Sequence, residues 1–307
     1  MTMLVMGHMN PDTDSIVSAI AYADLASKTG NAAKAVAQGA VTPESDFVLK
    51  RFGLAAPEVV TEVAGQKLAL VDTSEKTQLP ADLDKAELLA IVDHHKLGDV
   101  TTPNPLEIWV WPVGCTCTVL KSMYDFYGVE IPKGIAGAML CAILSDTVMF
   151  KSVTCTDADK KACEALAKIA GEGDMMALGM EMFKVKSAVD GTPMRDLVFR
   201  DYKDFDMGGN GVGIGQLEVV DLDILKPYVD DLYAEITKLK QEKGHHTIIL
   251  MLTDIMKEGT EMLYVSDDAS VFKKAFGLDA GERSFWFQGC MSRKKQVVPD
   301  FQAKAFV

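Results

Sequence analysis

Three short apolar runs in the first hundred residues each end in a side chain that can bind a metal ion. The runs, with the residues that follow them, are 2–6 with His8, 67–71 with Asp72, and 88–92 with Asp93, His94 and His95. Runs this short and this rich in Leu, Val and Ile are typical of buried strands rather than of buried helices. Helical spacing lies between them, after Asp14 and again from Thr42-Pro43 to Gly53. Alternating strands and helices predict a parallel, doubly wound α/β sheet, whose ligands bind beyond the carboxyl ends of the strands.

The length and the change of pattern along the chain predict two domains. The 307 residues, 48% of them hydrophobic and 24% charged, have the composition of a globular protein. A polar, turn-rich segment at 188–193 is predicted to be a linker or hinge between an N-terminal domain, 1–187, and a smaller domain, 194–307. The second domain is predicted to be mixed α/β, with a hairpin at Asn210-Gly211, strands at 212–220, 247–252, 261–265 and 284–288, and a helix over 222–243.

Composition also excludes several classes of protein. Forty-four acidic residues against 31 Lys and Arg give a net charge of −13, which argues against nucleic-acid binding. The longest apolar run, 135–144, is about half the length that a membrane-spanning helix needs, and no secretory signal is visible. Six cysteines in a chain of this length do not indicate a disulfide scaffold. We therefore expect a cytoplasmic protein that binds neither nucleic acid nor membrane.

The segment 7–15 places one imidazole and two carboxylates in the turn between a strand and a helix. These are His8, Asp12 and Asp14. A rigid turn can direct all three toward one point, and the helix N-terminus tolerates anionic groups there. In the alternative interpretation, Asp12 and Asp14 only cap the helix and His8 is incidental.

The Asp93-His94-His95 triplet strengthens the metal interpretation. Neighbouring residues of an extended chain point to opposite sides, so one histidine can bind a metal while the other faces a substrate. Asp72 and Asp146, each taken alone, are more simply explained as turn or capping residues. With the segment 7–15, however, they form a set of imidazoles and carboxylates that the predicted sheet gathers at one edge.

The donor types indicate which metals the site prefers. Imidazoles and carboxylates without thiolates favour Mn²⁺, Mg²⁺, Co²⁺ or Fe²⁺ over structural zinc. Two such ions, bridged by a carboxylate about 3.5–4 Å apart, can activate water and hold a phosphoryl group. Two divalent ions would also balance the charge of the four carboxylates, Asp12, Asp14, Asp72 and Asp146. Without metal the site is expected to repel a phosphate ester or anhydride.

A basic segment near the end of the chain can supply phosphate-binding groups. Ser292-Arg293-Lys294-Lys295-Gln296 follows a predicted strand, and its Arg and Lys side chains can hold phosphoryl oxygens. The alternative is a solvated run of charge. Two other features have structural interpretations: Cys115 and Cys117 are assigned to a strand-to-helix turn, and the glycine-rich segment 208–215 to a hairpin turn.

Together these segments resemble the DHH phosphoesterase superfamily and, more closely, the family II, manganese-dependent inorganic pyrophosphatases. The resemblance extends over the whole chain and depends on five motifs: Gly-His-Met-Asn-Pro-Asp-Thr-Asp-Ser from residue 7, Val71-Asp72, Asp93-His94-His95, Ser145-Asp146-Thr147, and the basic segment 292–296. The last is the most specific, because DHH nucleases instead carry a Gly-Gly-Gly-His segment that this sequence lacks.

The resemblance implies a role for each matching residue. The implied ligands are His8, Asp12 and Asp72 for one metal ion and Asp14, Asp72, His94 and Asp146 for the other, with Asp72 bridging them. Lys203, Arg293, Lys294 and His95 would bind the substrate. The implied catalytic residues are Asp12, His95, which protonates or polarises the leaving phosphate, and Asp93, which orients a neighbouring histidine.

The implied reaction is the hydrolysis of pyrophosphate to two phosphates by a hydroxide that bridges the two ions. The active site would lie in the cleft between a DHH domain and a DHHA2-like domain. It would hold two Mn²⁺ ions, replaceable by Co²⁺ or Mg²⁺, and a further Mg²⁺ would arrive with pyrophosphate. The N-terminal domains would pair as a homodimer. The alternatives are another DHH phosphoesterase, such as an exopolyphosphatase or an oligonucleotide hydrolase, and a non-catalytic metal or polyphosphate sensor.

Overall fold

The computed structural model describes residues 2–189 and 191–306. The chain divides into two compact units, 1–185 and 186–307. The predicted linker, 188–193, falls at the start of the second unit, and its Asp190 lies outside the described residues. Within the described part of the chain, no helix is both long enough and apolar enough to cross a membrane.

The first unit contains a six-stranded sheet in the order β3-β2-β1-β4-β5-β6. Its strands are β1 Met3–Met6, β2 Ala33–Ala37, β3 Glu58–Val59, β4 Lys67–Val71, β5 Glu87–Asp93 and β6 Glu107–Val110. Every neighbouring pair is parallel. The chain leaves β1 toward one edge of the sheet and returns at β4 toward the other, so the strand order reverses between them. In such sheets the ligand crevice lies at this point, beyond the carboxyl ends of the strands.

Six helices accompany this sheet. They are α1 Thr13–Lys28, α2 Pro43–Arg51, α3 Thr116–Tyr127, α4 Lys133–Asp146, α5 Asp157–Ala170 and α6 Met175–Lys186. Asp12 caps α1 and Thr42 caps α2, as Asp and Thr do before a first helical turn. Helix α4 is buried without interruption over 135–145, so it runs through the interior, and it delivers Asp146 at its last position. Short 3₁₀ turns occupy Lys76–Gln78 and Leu83–Lys85.

The second unit contains a five-stranded mixed sheet in the order β11-β10-β9-β8-β7. Its strands are β7 Tyr202–Met207, β8 Asn210–Val219, β9 Thr247–Asp254, β10 Gly259–Ser266 and β11 Ser284–Gln288. Only the pairing of β8 with β9 is parallel. Its helices are α7 Met194–Phe199, α8 Val229–Lys243, α9 Ser270–Phe276 and α10 Val298–Lys304, and a π-helical turn, Arg293–Val297, leads into α10. The predicted fold class, a doubly wound parallel sheet followed by a smaller mixed α/β domain, is confirmed.

The hairpin predicted in the segment 208–215 is present, but its turn and the start of the following helix are misplaced in the prediction. The hairpin turn is Gly208-Gly209, both with positive φ, while Asn210 already pairs with Met207 at the start of β8. Glycine adopts such angles without steric cost, which favours the Gly-Gly pair at the tip of the hairpin. The helix predicted over 222–243 begins only at Val229, after two 3₁₀ turns, because Pro227 cannot donate a backbone hydrogen bond.

Candidate metal centre

The carboxyl ends of three adjacent strands carry the predicted metal ligands. His8 follows β1, Asp72 directly follows β4, and β5 ends at Asp93, which precedes His94. Since β1, β4 and β5 are parallel neighbours, these side chains lie at one edge of the sheet. The strand order reverses between β1 and β4. His8 follows the first of these strands and Asp72 follows the second, so the two residues flank this point of the sheet.

The turn after β1 directs one carboxylate toward His8. A Cβ atom at Gly7 would lie 1.8 Å from Ser15 Oγ, so this turn has room only for glycine. Asp12 Oδ1 accepts a hydrogen bond from Ser15 N at 2.9 Å and caps α1. Its other oxygen, Oδ2, lies 3.5 Å from His8 Nε2. Asp12 therefore caps the helix and also faces the histidine, so the two interpretations of this residue are compatible.

Both histidines of the cluster present Nε2 to its centre. His8 Nδ1 lies 2.9 Å from Met9 O, and His94 Nδ1 lies 3.1 Å from Val113 O. A carbonyl oxygen can only accept, so each Nδ1 carries the proton and each Nε2 is left with a lone pair in the neutral ring. Histidines that bind metals are held in this way by a backbone carbonyl or a carboxylate.

Asp72 lies between the two imidazoles. Its Oδ2 is 3.3 Å from His8 Nε2, and its Oδ1 is 3.5 Å from His94 Nε2. Its side chain is 2% exposed, and its backbone has φ +60°, a conformation that Asp tolerates better than most residues. Thr116 Oγ1 also donates to Oδ1 at 3.1 Å. Because each oxygen faces a different histidine, Asp72 has the geometry of a bridging carboxylate.

Asp14 belongs to α1, but its carboxylate caps the N-terminus of α3. Its Oδ2 accepts a hydrogen bond from Thr116 N at 2.7 Å, and its Oδ1 accepts from Cys117 N at 3.2 Å and from Ser18 Oγ at 2.9 Å. The carboxylate therefore lies at the N-terminus of α3, where the helix dipole favours negative charge. Cys115 occupies the capping position of α3, in agreement with its assignment to a strand-to-helix turn.

The predicted ligands form compact groups of potential donor atoms. Within each group the atoms lie within 4.8 Å of one another: His8, Asp12 and Asp72; Asp14, His94 and Asp146; and Asp72, His94 and His95. All six predicted ligands are included, and Asp72 belongs to two of the groups. A further group contains Asp14, Cys115 and Cys117.

The electrostatics of the cluster favour divalent cations. Burial and the charge of Asp72 raise the pKa of the Asp14 carboxyl. Burial opposes charge on His94, yet Asp72 and Asp14 raise its pKa to about 9. Burial likewise opposes charge on His8, but Asp12 and Asp72 raise its pKa well above the usual range. Surplus negative charge thus draws protons onto the imidazoles, and metal ions would take the place of those protons. The residues present therefore fit a site for divalent metals.

His95 is held by a different carboxylate. Asp93 Oδ1 lies 2.9 Å from His95 Nδ1 and accepts from His95 N at 3.0 Å. Asp93 is fully buried, and within the described part of the chain its Oδ2 has no hydrogen-bond partner. The His95 side chain is 35% exposed, and its ring centre lies 4.1 Å from that of His94. The structure thus places the His95 imidazole at the rim of the cluster, with Asp93 fixing its orientation.

The basic residues predicted to bind substrate lie in the second unit. The Arg293 side chain is only 10% exposed and begins the π-helical turn. Ser292 Oγ caps this turn by accepting from Lys295 N at 3.3 Å, and Gln296 Oε1 accepts from Ser292 N at 2.9 Å. The segment 292–296 is therefore folded by its own Ser and Gln. Arg293 is buried, which the interpretation as a solvated charge run does not predict, whereas Lys294 and Lys295 are exposed. π-Helical turns occur frequently at functional sites.

Lys203 and Arg293 are each adjacent to Ile214. Lys203 belongs to the edge strand β7 and pairs with Ile214 of β8. Arg293 Nη1 donates to Ile214 O at 3.2 Å. The fold thus connects Lys203 and Arg293 through Ile214, although they are ninety residues apart in sequence. Lys294 directly follows Arg293 in the π-helical turn.

Two family models match the chain. The model for the "DHH family, N-terminal domain" matches residues 2–143, and that for the "DHHA2 domain" matches residues 180–303. With the doubly wound sheet and its cluster of Asp and His, these matches define a two-domain protein of the DHH class.

Similar proteins and solved structures identify the family within the DHH class. The chain is 53% identical to a probable manganese-dependent inorganic pyrophosphatase of Archaeoglobus fulgidus, with 98% of this chain and 97% of that protein covered. It is 43% identical to the manganese-dependent inorganic pyrophosphatase of Methanothrix thermoacetophila, with 97% of each covered. A crystal structure from Methanococcus jannaschii, described as that of a "putative family II inorganic pyrophosphatase", is 40% identical, with a TM-score of 0.85 and 99% of each chain covered. The chain belongs to the family of manganese-dependent inorganic pyrophosphatases, and the resemblance inferred from its motifs is confirmed.

Proposed function

We propose that this protein hydrolyses inorganic pyrophosphate to two phosphates at the cluster formed around Asp72. The observation that carries the proposal is the position of Asp72, whose two oxygens face His8 and His94 separately. This is the arrangement that a pair of metal ions sharing one carboxylate requires. The names of the relatives, which cover almost the whole chain, support pyrophosphate as the substrate.

We propose two Mn²⁺ ions in this site. His8, Asp12 and Asp72 would hold one ion, and Asp14, Asp72, His94 and Asp146 would hold the other. When bound, the ions supply Lewis-acid activation of water and neutralise charge on the phosphoryl group. Co²⁺ or Mg²⁺ would substitute for Mn²⁺, because oxygen and imidazole donors accept all three, and a further Mg²⁺ would accompany pyrophosphate. Thr116 supports the site by donating to both Asp14 and Asp72.

His95 is proposed as the proton donor to the leaving phosphate. Its Nδ1–H is directed to Asp93 Oδ1, which leaves Nε2 for the substrate. The buried Asp93 carboxylate fixes the orientation of the ring, a general arrangement for catalytic histidines. Asp12 contributes beside His8 as a proposed metal ligand and catalytic residue, and its Oδ1 holds the turn in place through Ser15 N.

Lys203, Arg293 and Lys294 are proposed to bind the phosphoryl oxygens. A guanidinium holds two oxygens at once and an ammonium acts as a point charge, so together they can stabilise charge that develops during phosphoryl transfer. We propose that residues 1–187 and 194–307 act as metal-binding and substrate-binding domains, joined by a hinge at 188–193.

A homodimer formed through the N-terminal domains is also proposed. Strand β6 is at one edge of the six-stranded sheet, and Ile108 on it is 51% exposed. Nearby on α3, Phe126 is 70% exposed, and its ring packs edge-on against Trp109. An exposed edge strand with apolar side chains favours pairing with another chain. We expect light scattering to give twice the mass of one chain, and Ile108→Lys to give monomers. Val59→Lys, at the opposite edge of the sheet, is the matched control.

The cysteines and the net charge support a proposed location and a proposed class of substrate. All six cysteines are free thiols, which fits the reducing cytoplasm that we propose for this protein. The net charge of −13 supports a small anionic substrate held through metal ions rather than nucleic acid.

Phosphate release from pyrophosphate tests the proposed function. The protein is stripped with a chelator and assayed in Mg²⁺ buffer, with and without prior incubation with Mn²⁺. We expect rapid, Mn²⁺-stimulated release, with ATP, polyphosphate and short oligonucleotides as poor substrates. Faster cleavage of polyphosphate or oligonucleotides would instead identify another DHH phosphoesterase. Metal-dependent binding of polyphosphate without any turnover would identify a sensor.

His94→Ala is predicted to weaken one of the two Mn²⁺ positions selectively. The substitution removes an Nε2 donor beside Asp72 and Asp146 and leaves the group around His8 intact. We expect at least about a 100-fold loss of affinity for one ion, measured by titration calorimetry, with the other ion bound nearly as in the wild type. His246→Ala, in the second unit, should leave both affinities unchanged. Equal weakening of both ions by His94→Ala would contradict the assignment of His94 to one position.

A further inference from the structure

The Arg293 guanidinium is held chiefly by Asp201. Arg293 Nη2 donates to Asp201 Oδ1 at 2.6 Å, and Nη1 donates to Asp201 O at 2.6 Å as well as to Ile214 O. The Arg293 side chain is 10% exposed, whereas that of Asp201 is 53% exposed. The ion pair therefore lies at the surface of the second unit, with the arginine packed inward and the aspartate toward solvent.

The main chain of Arg293 is anchored at the same place. Arg293 N donates to Gln216 Oε1 at 3.3 Å, and Gln216 N donates to Asp201 O at 2.9 Å. Gln216 is buried, and its Nε2 donates to Thr253 Oγ1 and Met291 O. The backbone of Arg293 is thus fixed through Gln216 and its guanidinium through Asp201. Rigidly held side chains lose little freedom when they bind a ligand.

Asp201 also places Arg293 on the same face of the sheet as Lys203. Tyr202 OH donates to Asp204 Oδ1 at 2.8 Å, so these two side chains share one face of β7. Successive residues of a strand alternate, which puts Lys203 on the other face, where its partner Ile214 lies with Gln216, the residue that holds Arg293 N. Lys203 pairs with Ile214, the residue whose carbonyl accepts from Arg293. The contacts of Asp201 therefore hold the Arg293 guanidinium at the backbone position with which Lys203 pairs.

We infer that Asp201 is a positioning residue that fixes the Arg293 guanidinium in the orientation that binds a phosphoryl group. The inference rests on the proposed function, since it assigns a role within the pyrophosphate-binding site. Asp201 does not bind the substrate itself, because a carboxylate and a phosphoryl oxygen repel each other. Its effect on the reaction passes through Arg293.

Charge and position predict opposite results when Asp201 is removed. If the carboxylate acted only through its charge, Asp201→Ala would strengthen binding of the anionic substrate. If it positions Arg293, the same substitution frees the guanidinium and weakens binding. Misplacement of a binding group by about 1 Å can reduce the rate about 100-fold. We expect kcat/KM for pyrophosphate to fall about 10- to 100-fold, mainly through a higher KM.

A double-mutant cycle tests whether Asp201 acts through Arg293. Asp201→Ala is measured in the wild-type chain and in Arg293→Ala, with Mn²⁺-loaded full-length protein. In the Arg293→Ala background we expect Asp201→Ala to change KM less than about twofold, because there is no guanidinium left to position. Equal fold-changes in the two backgrounds would overturn the inference, as would a lower KM for Asp201→Ala alone.

Two further variants separate position from charge and from folding. Asp201→Asn keeps the Oδ1 acceptor for Arg293 and is expected to recover KM to within about threefold of the wild type. Asp206→Asn makes the same charge change on the other face of β7 and keeps the acceptor for Gly209 N, so its KM should not change. A rise in KM for Asp206→Asn as large as that for Asp201→Ala would show a general effect of charge or stability and overturn the inference.

A spectroscopic measurement tests the contact between Asp201 and Arg293 without an assay of pyrophosphate hydrolysis. In protein labelled with ¹⁵N-arginine, the two Nη groups of Arg293 should rotate slowly in the wild type and freely in Asp201→Ala. Unchanged rotation would overturn the inference even if pyrophosphate is hydrolysed. If the wild type shows the restricted rotation but hydrolyses no pyrophosphate, the contact stands and the proposed function fails. The role of Asp201 toward a phosphoryl group fails with it.

Discussion

Asp72→Asn is expected to lower pyrophosphate turnover at least about 10³-fold and to weaken both Mn²⁺ positions together. The two oxygens of Asp72 face His8 and His94 separately. Asparagine keeps one oxygen and replaces the other with an amide NH₂, which cannot bind a cation. One substitution thus removes a donor from one ion and the negative charge from both. A loss of 10³ in rate corresponds to about 4 kcal/mol in the activation free energy.

Asparagine is the right replacement at this position because of the backbone. Asp72 has φ +60°, which asparagine adopts readily and alanine does not. Asn also preserves the size of the side chain and an acceptor for Thr116 Oγ1. Loss of activity in Asp72→Asn can therefore be attributed to the missing carboxylate rather than to a distorted turn.

Thermal unfolding with and without Mn²⁺ provides the second measurement for Asp72→Asn. A ligand that binds only the folded state stabilises it according to its concentration and affinity. The Tm of the wild type should therefore rise with Mn²⁺, while that of Asp72→Asn should rise much less. Asp84→Asn, an exposed residue that pairs with Lys76, is the control and should respond as the wild type does. An Asp72→Asn protein that loses activity but keeps both Mn²⁺ affinities would contradict a bridging role.

The strands and the Asp and His side chains at their ends are predictable from sequence for a physical reason. Buried parallel strands read as short apolar runs, and the first polar residue after each run marks the edge where ligands bind. His8 and Asp72 stand at such positions, and His94 directly follows Asp93, the first polar residue after the third run. The predicted strand over 67–71 agrees with β4 residue by residue. The prediction over 2–6 begins one residue before β1, and that over 88–92 is one residue shorter than β5 at each end.

The parts that sequence did not predict depend on contacts between distant residues. Nothing local distinguishes an Asp14 that caps α1 from one that caps α3, because the difference lies in where α3 packs. Thr116 was missed for the same reason, although the Cys-Thr-Cys segment drew attention to its neighbours. The contact of Asp201 with Arg293 joins residues 92 positions apart. Edge strands such as β3, with two exposed residues, carry no apolar pattern to detect.

Arg293→Ala is expected to lower kcat/KM for pyrophosphate about 10³-fold while leaving Mn²⁺ affinity unchanged. The guanidinium is the one group of the basic segment that can hold two phosphoryl oxygens at once, and such preorganised donors each contribute about 10²–10³ to the rate. Arg293→Lys keeps the positive charge but lacks the planar guanidinium that holds two oxygens, so its kcat/KM should fall only about 10- to 100-fold. Arg283→Ala, which removes an exposed cation paired with Asp230, should leave kcat/KM unchanged.

The effect of Arg293→Ala on the stability of the fold can be measured separately from its effect on catalysis. The substitution removes the hydrogen bond that Arg293 Nη1 donates to Ile214 O. We expect this loss to lower the free energy of unfolding by about 1–3 kcal/mol. Asp201 O retains Gln216 N as a donor, and the half-exposed Asp201 carboxylate remains solvated, so the fold should persist. Metal titration decides between the two roles. If Mn²⁺ affinity falls as far as kcat/KM does, Arg293 supports the metal centre, and the proposed division between metal-binding and phosphate-binding residues is wrong.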